Sequence, residues 1–520
     1  MKFVCAKIFT TVAVVTFALA AETVAATINV DIDKEHQRIS GFGAASAWAG
    51  SITDKNAAFL WDTTSGAGLS LHRIRIAPDG STSETSIAKK ASEYGVKVWA
   101  APWTSKYTVE YGVDDWGNKK NHLDFNHAQD WANTILKFTQ DMRREGVNLY
   151  AVSSQNEPDG YGDNNYQPDE LARWVGSYLG PTLDTTGIKI IGTETINWYG
   201  FPNYKQAFFE NPDALKYTSI LATHEYGGDQ KAYPEIHEAG KEFWETEVYD
   251  LGSNDEDVGM GSALRVANVM HKTLTVANVN AWHFWWIYSC SEPSCGNGAL
   301  WPQGRGNPDQ VEPTKRLWVM GNFSRFARPG ARRIEATLEP ENDVKVTAYR
   351  DSSKSKISVV ILNSKNSEFN AEFDFGTTKI ASFRPYVTDE TRNLEAGDNV
   401  SLGNTDENNA GESEGATKCS YNVPARSATT VVFSLWREAP KDTSAQNPGD
   451  NNIEAISIGN LNLSSAPGSF KVYSPLGIFI GEFHANTLGE LRSSMAKAGI
   501  GRGVYITKDQ QNKMQQVQLR

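Results

Sequence analysis

Between residues 39 and 286 the chain repeats one alternation: a short run in which nearly every position is apolar, then a longer stretch whose apolar positions fall three and four apart. The runs are "ISGFGAA" (39–45), "LSLHRIRI" (69–76), "VKVWAAPW" (96–103), "NLYAVSSQNEP" (148–158), "KIIGTET" (189–195), "YTSILATHEY" (217–226), "EFWETEVY" (242–249) and "VNAWHFWW" (279–286). Their β-branched and aromatic content predicts strands. The lack of strict alternation predicts strands covered on both faces, as in a parallel sheet. The stretches 126–146, 168–180 and 261–279 carry helical periodicity. Eight strand–helix units predict a (β/α)8 TIM barrel over residues 40–329, a fold whose functional groups gather at the C-terminal ends of the strands.

Beyond residue 330 the period changes to two. Segments such as "VKVTAYR", "KISVVILN" and "AEFDFG" within 332–436 alternate apolar and polar positions, with turn residues between them and no long helical stretch. That pattern predicts an antiparallel β-sandwich. The strand-like "ATINVDIDKEHQRI" (26–39) precedes the barrel, so the side domain is expected to combine 27–39 with 330–436. Residues 437–453 are polar, hold Pro and Gly and lack periodicity, as a linker does. A small β-rich module over 454–520 follows. Its "SFKVYSPLGIFIGEF", "TLGELRSSMAKAG" and "GRGVYITKDQQNKMQQVQLR" resemble the C-terminal sorting domains with which some bacteria pass proteins across the outer membrane, and equally suit an accessory β-module.

Residues 1–26 read as a secretory signal: Lys2 and Lys7, an apolar run from Ile8 to Ala21, then small residues that suit cleavage. No later apolar run reaches the roughly 18 residues of a membrane span, so a secreted or cell-surface protein is expected. Loss of the signal leaves Cys290, Cys295 and Cys419, and the first two are close enough to close a small loop as a disulfide. Their spacing suits no zinc site and the nine His are scattered, so neither a metal nor an organic cofactor is expected. A formal charge of −12, from 62 acidic and 50 basic residues with no long basic stretch, argues against a nucleic-acid partner. The 15 Trp and 19 Tyr supply flat faces for sugar rings, a use that competes with ordinary core packing.

The ends of the predicted strands carry the chemistry. Trp103 closes strand three, Asn156 and Glu157 strand four, Glu194 strand five, His224 and Tyr226 strand six, Glu247 and Tyr249 strand seven, and Trp285 and Trp286 strand eight. A barrel brings these ends to one mouth, where carboxylates far apart in sequence become neighbours. Two facing carboxyl groups between aromatic walls suit glycosidic bond cleavage: one protonates the leaving oxygen while the other, ionised, attacks the anomeric carbon. Asn156 and Tyr226 are donors suited to binding a sugar hydroxyl or orienting the nucleophile. Glu194 competes for either carboxylate role, and a lone His such as His224 is equally explained by a structural bond.

The stretches "ISGFGAASAWAG", "VWAAPW", "VNLYAVSSQNEPDG", "LATHEYGG", "FWETEVY", "AWHFWW" and "FSRFARPGARRIEAT" together resemble glycoside hydrolase family 30, near its glucuronoxylan-cleaving xylanases, over roughly residues 27–436. The resemblance implies a retaining glycosidase with Glu157 as acid/base and Glu247 as nucleophile, and with Asn156 bonded to the sugar 2-hydroxyl. It places Arg73 and Tyr226 near the nucleophile and Trp48, Trp103 and Trp286 as walls of the central subsites. His224 and Tyr249 complete the candidate substrate-binding set.

The chain departs from the glucuronoxylan-specific relatives at one place. There an Arg shortly after the paired Trp of strand eight grips the glucuronate carboxylate, a contact suited to its planar fork of donors. Here "IYSCSEPSCGNGALWPQGRG" follows Trp286, with Ser289 and Cys290 where that Arg falls and Arg305 further along the loop. The expectation is a monomeric endo-β-1,4-xylanase that acts on plant xylan and does not depend strictly on glucuronate side groups. A glucuronoxylan-specific xylanase, a β-glucosidase, fucosidase or β-1,6-glucanase of the wider family, and a barrel that binds carbohydrate without turnover are the alternatives.

Overall fold

The computed structural model describes residues 26–113, 119–160, 164–250, 257–288, 299–301, 312–402, 415–436, 468–473, 479–485, 488–497, 503–508 and 514–519. The signal-like segment 1–25, the expected disulfide pair Cys290 and Cys295, their neighbour Ser289, Arg305 and the linker 437–453 lie outside the described residues.

Eight parallel strands close into a barrel: β1 Gly41–Ala45, β2 Leu71–Ile76, β3 Lys97–Pro102, β4 Ala151–Ser153, β5 Lys189–Ile191, β6 Thr218–Thr223, β7 Glu242–Glu245 and β8 Ala281–Tyr288. Ala281 of β8 pairs with Trp244 of β7 on one side and Gly41 of β1 on the other, which completes the ring. Each apolar run of the sequence holds one of these strands, and the eighth continues past its run to Tyr288. Side chains alternate between two cores, as the pleat requires. Leu71, Trp99, Ala151, Ile191, Ile220 and Trp244 fill the barrel interior. Ile74, Ile76, Val98, Ala100, Trp282 and Phe284 pack outward into the layer shared with the helices.

Strands four, five and seven stop earlier than the apolar runs do, at Ser153, Ile191 and Glu245. Past β4 and β5 the backbone turns: Glu157 (φ 44°) and Glu194 (φ 48°) are left-handed, which no strand can continue through. The N–H of Asn156 bonds the Pro102 carbonyl at 2.8 Å and that of Glu157 the Glu194 carbonyl at 3.0 Å, tying the flared ends together. Chemistry-bearing residues therefore sit on loops just beyond the strands. The helix read over 168–180 is α-helical over Pro168–Trp174 and widens to a π-turn at Val175–Leu179, ahead of Pro181. Its Trp174 donates from Nε1 to the Ser154 carbonyl at 3.2 Å, anchoring the residue after β4.

The side domain is a β-sandwich around Ile28, Val346, Val359, Ile361, Phe373 and Phe433. The long strand Ala26–Arg38 runs antiparallel to Arg332–Ala336 and parallel to Phe369–Asp374, so this one pairing departs from the antiparallel pattern. The buried helix Lys315–Ser324 joins barrel to sandwich: Asn322 donates to the Tyr386 carbonyl and Thr430 Oγ1, both at 3.1 Å, and Thr430 donates back to the Asn322 carbonyl at 2.6 Å. Cys419 is a half-buried free thiol in Lys418–Val423. A second compact unit begins at Ala439; its antiparallel sheet has the order Phe479–Ala485, Gly468–Tyr473, Gly503–Lys508, Met514–Leu519, with the helix Leu488–Lys497. Among the described residues no helix is long and apolar enough to cross a membrane.

Candidate active site

Arg73 is the hub of the barrel mouth. It follows Leu71 by two residues on β2, so the pleat aims it into the barrel, where it is fully buried. Its guanidinium donates to a Glu247 carboxylate oxygen and to Asn156 Oδ1, and lies 2.6 Å from Glu194 Oε1. Burial alone would lower its pKa; the charges of Glu194 and Glu247 reverse that and hold the guanidinium firmly protonated.

His224, just past β6, bridges the carboxylates. Its Nδ1 lies 2.9 Å from Glu157 Oε1 and 3.7 Å from Glu247 Oε1, and its Nε2 lies 3.5 Å from Glu194 Oε1. Burial opposes the charged ring, but Glu247, Glu157 and Glu194 outweigh it and raise the pKa to about 10. The arrangement favours the protonated ring, in which both nitrogens donate.

Glu247 is held from every side. Tyr226 donates its hydroxyl to Oε1 at 2.9 Å, Arg73 takes Oε2, and the Glu247 N–H donates to Glu245 Oε1 at 2.9 Å. The other oxygen of buried Glu245 accepts the His283 N–H at 2.8 Å, so β7 and β8 share the clamp. Burial raises the Glu247 carboxyl above its ordinary range, while His224 and Arg73 pull it down. Glu157 is more open, its side chain 22% exposed against 7% for Glu247. Glu194 is fully enclosed, with Arg73 and His224 on Oε1 and its Oε2 buried without a partner among the described residues, so Glu157 and Glu247 are the carboxylates that face the cleft.

Glu157, His224 and Glu247 place one ligating atom each within 4.8 Å of one another, the spacing of a metal group. All three already have protein partners: Arg73 and Tyr226 on Glu247, and the His224 ring between Glu157 and Glu194.

Aromatic rings wall the cleft above this layer. The Trp48 ring lies 5.5 Å from Trp103, 6.1 Å from Trp285 and 6.5 Å from Trp286. Trp103 is nearly buried, 4.6 Å from the Arg73 guanidinium, whereas Trp48 is 52% exposed. Trp286 donates from Nε1 to the Ala47 carbonyl at 2.9 Å and so fastens the loop after β1. Trp285 shares the inward face of β8 with Ala281 and His283, and its ring lies 5.8 Å from the Arg73 guanidinium. Period two along β8 marks it, and the sequence reading puts it at a strand end without giving it a role; Glu245, next to the inward Trp244 on β7, was not among the site residues read from the sequence. Tyr249 stands beside Tyr226, their rings 5.3 Å apart.

Two family models match this architecture: the glycosyl hydrolase family 30 TIM-barrel domain over residues 72–298 and the family 30 beta sandwich domain over 330–431, together more than half of the chain. The chain belongs to glycoside hydrolase family 30. As a family 30 member it is a glycoside hydrolase, in a family that retains anomeric configuration. The glucuronoxylanase XynC of Bacillus subtilis strain 168 is 29% identical over 440 residues, covering 82% of this chain and 96% of that relative. Among solved structures, a family 30 endoxylanase from Clostridium papyrosolvens C71 aligns at 27% identity and TM-score 0.66, over 78% of this chain and all of its own. The family 30 subfamily 8 xylanase Xyn30A from Clostridium acetobutylicum aligns at 29% identity and TM-score 0.66, over 78% of this chain and 99% of its own.

Proposed function

We propose that this chain is an endo-β-1,4-xylanase working by double displacement, with Glu247 as nucleophile and Glu157 as acid/base. The observation that carries the mechanism is the carboxylate spacing: oxygens of Glu157 and Glu247 lie within 4.8 Å. Retaining pairs stand about 5–5.5 Å apart, whereas inverting pairs need about 6.5–9.5 Å to admit a water between them.

In the first displacement Glu247 attacks the anomeric carbon as the glycosidic oxygen leaves with a proton from Glu157. His224, whose Nδ1 lies 2.9 Å from Glu157 Oε1, orients the carboxyl that gives this proton. Arg73 and Tyr226 fix the attacking carboxylate, so little reorganisation is needed as its charge passes to the sugar. In the second displacement Glu157 takes a proton from water, which breaks the glycosyl ester. Asn156 accepts from Arg73 at Oδ1, and among the described residues no acceptor engages its amide N–H, which suits donation to a sugar hydroxyl.

Xylan as substrate is supported by the glucuronoxylanase and xylanases to which the chain is similar. Independence from glucuronate is supported by Ser289 and Cys290 at the place of the gripping Arg. Product mapping on linear xylan and on glucuronoxylan tests this reading, with short linear oligosaccharides expected from both. Cuts at a fixed distance from each glucuronate, with linear xylan resistant, would overturn it. The signal-like residues 1–26 and the C-terminal module support a secreted or surface-held enzyme, which N-terminal sequencing of the mature protein checks.

A further inference from the structure

The pleat that aims Arg73 into the barrel aims Arg75 the same way, one step closer to the mouth. Leu71 and Arg73 are inward, Ile74 and Ile76 pack outward, and Arg75 is the last inward side chain of β2. The terminal nitrogens of Arg73 hold Glu247, Asn156 and Glu194, whereas among the described residues no carboxylate pairs with the guanidinium of Arg75; the Nε of each is buried without an acceptor.

The nearby acids are engaged elsewhere. Glu84 accepts from Ser46 Oγ at 2.6 Å, from the Trp48 N–H at 3.3 Å and from the backbone N–H of Arg75 at 3.2 Å. Asp79 accepts from the N–H and hydroxyl of Ser81 at 3.0 and 2.7 Å. The Arg75 guanidinium instead lies over the ring of Trp48, 5.4 Å from its centroid. Trp48 is held left-handed (φ 65°) and is 52% exposed, so one face of its ring is backed by Arg75 while much of the ring stays open to the cleft.

We infer that Arg75 binds a carboxylate carried by the polysaccharide, making an acid-recognising subsite beside the open ring of Trp48. A guanidinium without a partner in a half-buried place gains most from an anionic acceptor, and its fork matches a carboxylate. The adjoining ring stacks the sugar that bears it. The site gives a preference for uronate-bearing chains without making them obligatory, since the clamp on Glu247 is complete without it. The inference rests on the reading of the substrate as xylan.

Calorimetric binding to the full chain carrying Glu247→Gln tests it, using linear xylo-oligosaccharides, the same oligosaccharides bearing one glucuronate, and the uncharged methyl ester of that glucuronate. The acidic ligand is expected to bind more tightly than both others. Adding Arg75→Gln should weaken the acidic ligand roughly five- to tenfold, the scale of a half-exposed charge-assisted contact, and abolish its advantage. Arg75→Lys should restore part of it. Ester and acid bound equally, an advantage that survives Arg75→Gln, or an equal loss for every ligand would each overturn the inference; the last would assign Arg75 to supporting Trp48. If no xylo-oligosaccharide binds at all, the xylan reading itself falls and the subsite with it.

Discussion

Tyr226 donates its hydroxyl to Oε1 of Glu247 at 2.9 Å while Arg73 occupies Oε2, so the carboxylate is gripped by one neutral and one charged donor. Tyr226→Phe removes the neutral donor and leaves the ring against Tyr249. A hydrogen bond to a charged group contributes about 1.5–3 kcal/mol, so kcat/KM should fall roughly 10- to 100-fold with the melting temperature little changed. Steady-state kinetics on xylan check this; full activity in Tyr226→Phe would show that Arg73 suffices.

Gly160 keeps space for the acid/base. A Cβ there would sit 2.9 Å from Glu157 Cβ and 3.1 Å from its carbonyl oxygen and Oε2. Gly160→Ala should push Glu157 off its line to the leaving oxygen and lower kcat by on the order of tenfold, with KM less affected, because small misplacements of a reacting group are costly. An aryl glycoside with a good leaving group should be spared in its first displacement. Equal loss on both substrates would contradict the assignment of this space to acid catalysis.

Glu225 ties stability to pH. It is buried against Trp198 Nε1 at 2.8 Å and Thr273 Oγ1 at 3.2 Å, and burial raises its carboxyl to about 7 from an ordinary 4.5. A folded-state pKa above the unfolded one means that folding favours the protonated form. That contribution is complete below the unfolded pKa and is lost as pH rises toward 7. Glu225→Gln should flatten this part of the stability profile by up to about 3 kcal/mol. Glu84, also raised to about 7, and Asp159, raised to about 6, keep part of the slope in both proteins. Denaturant unfolding at pH 5 and 8 checks it, and parallel profiles for the two proteins would contradict it.

Much of the frame was legible because each barrel strand is buried on both faces, and burial of that kind writes a continuous apolar run into the chain. The place of Glu157, Glu194 and Glu247 at the barrel mouth was legible for a related reason, since they close such runs, but the choice of Glu157 and Glu247 among the three came from the family resemblance. The early ends of β4 and β5 were not legible, because the left-handed turns at Glu157 and Glu194 are held by a bond between loops distant in sequence, Glu157 N–H to Glu194 C=O. The hairpin Thr108–Val113 with Lys119–Leu123 was missed because its first strand is exposed throughout and carries no buried face to pattern it. Arg75 was not singled out in "LSLHRIRI"; the inward face of β2 and the ring of Trp48 give it a place.

The central claim is that Glu247 is the nucleophile of a double displacement, and trapping the glycosyl-enzyme tests it most directly. A 2-deoxy-2-fluoro-xyloside with a good leaving group should inactivate the protein and add one fluoroxylosyl mass to the peptide that contains Glu247, seen by mass spectrometry after digestion. Label on the peptide of Glu157 or Glu194, or release of an inverted first product with no label anywhere, would contradict the account.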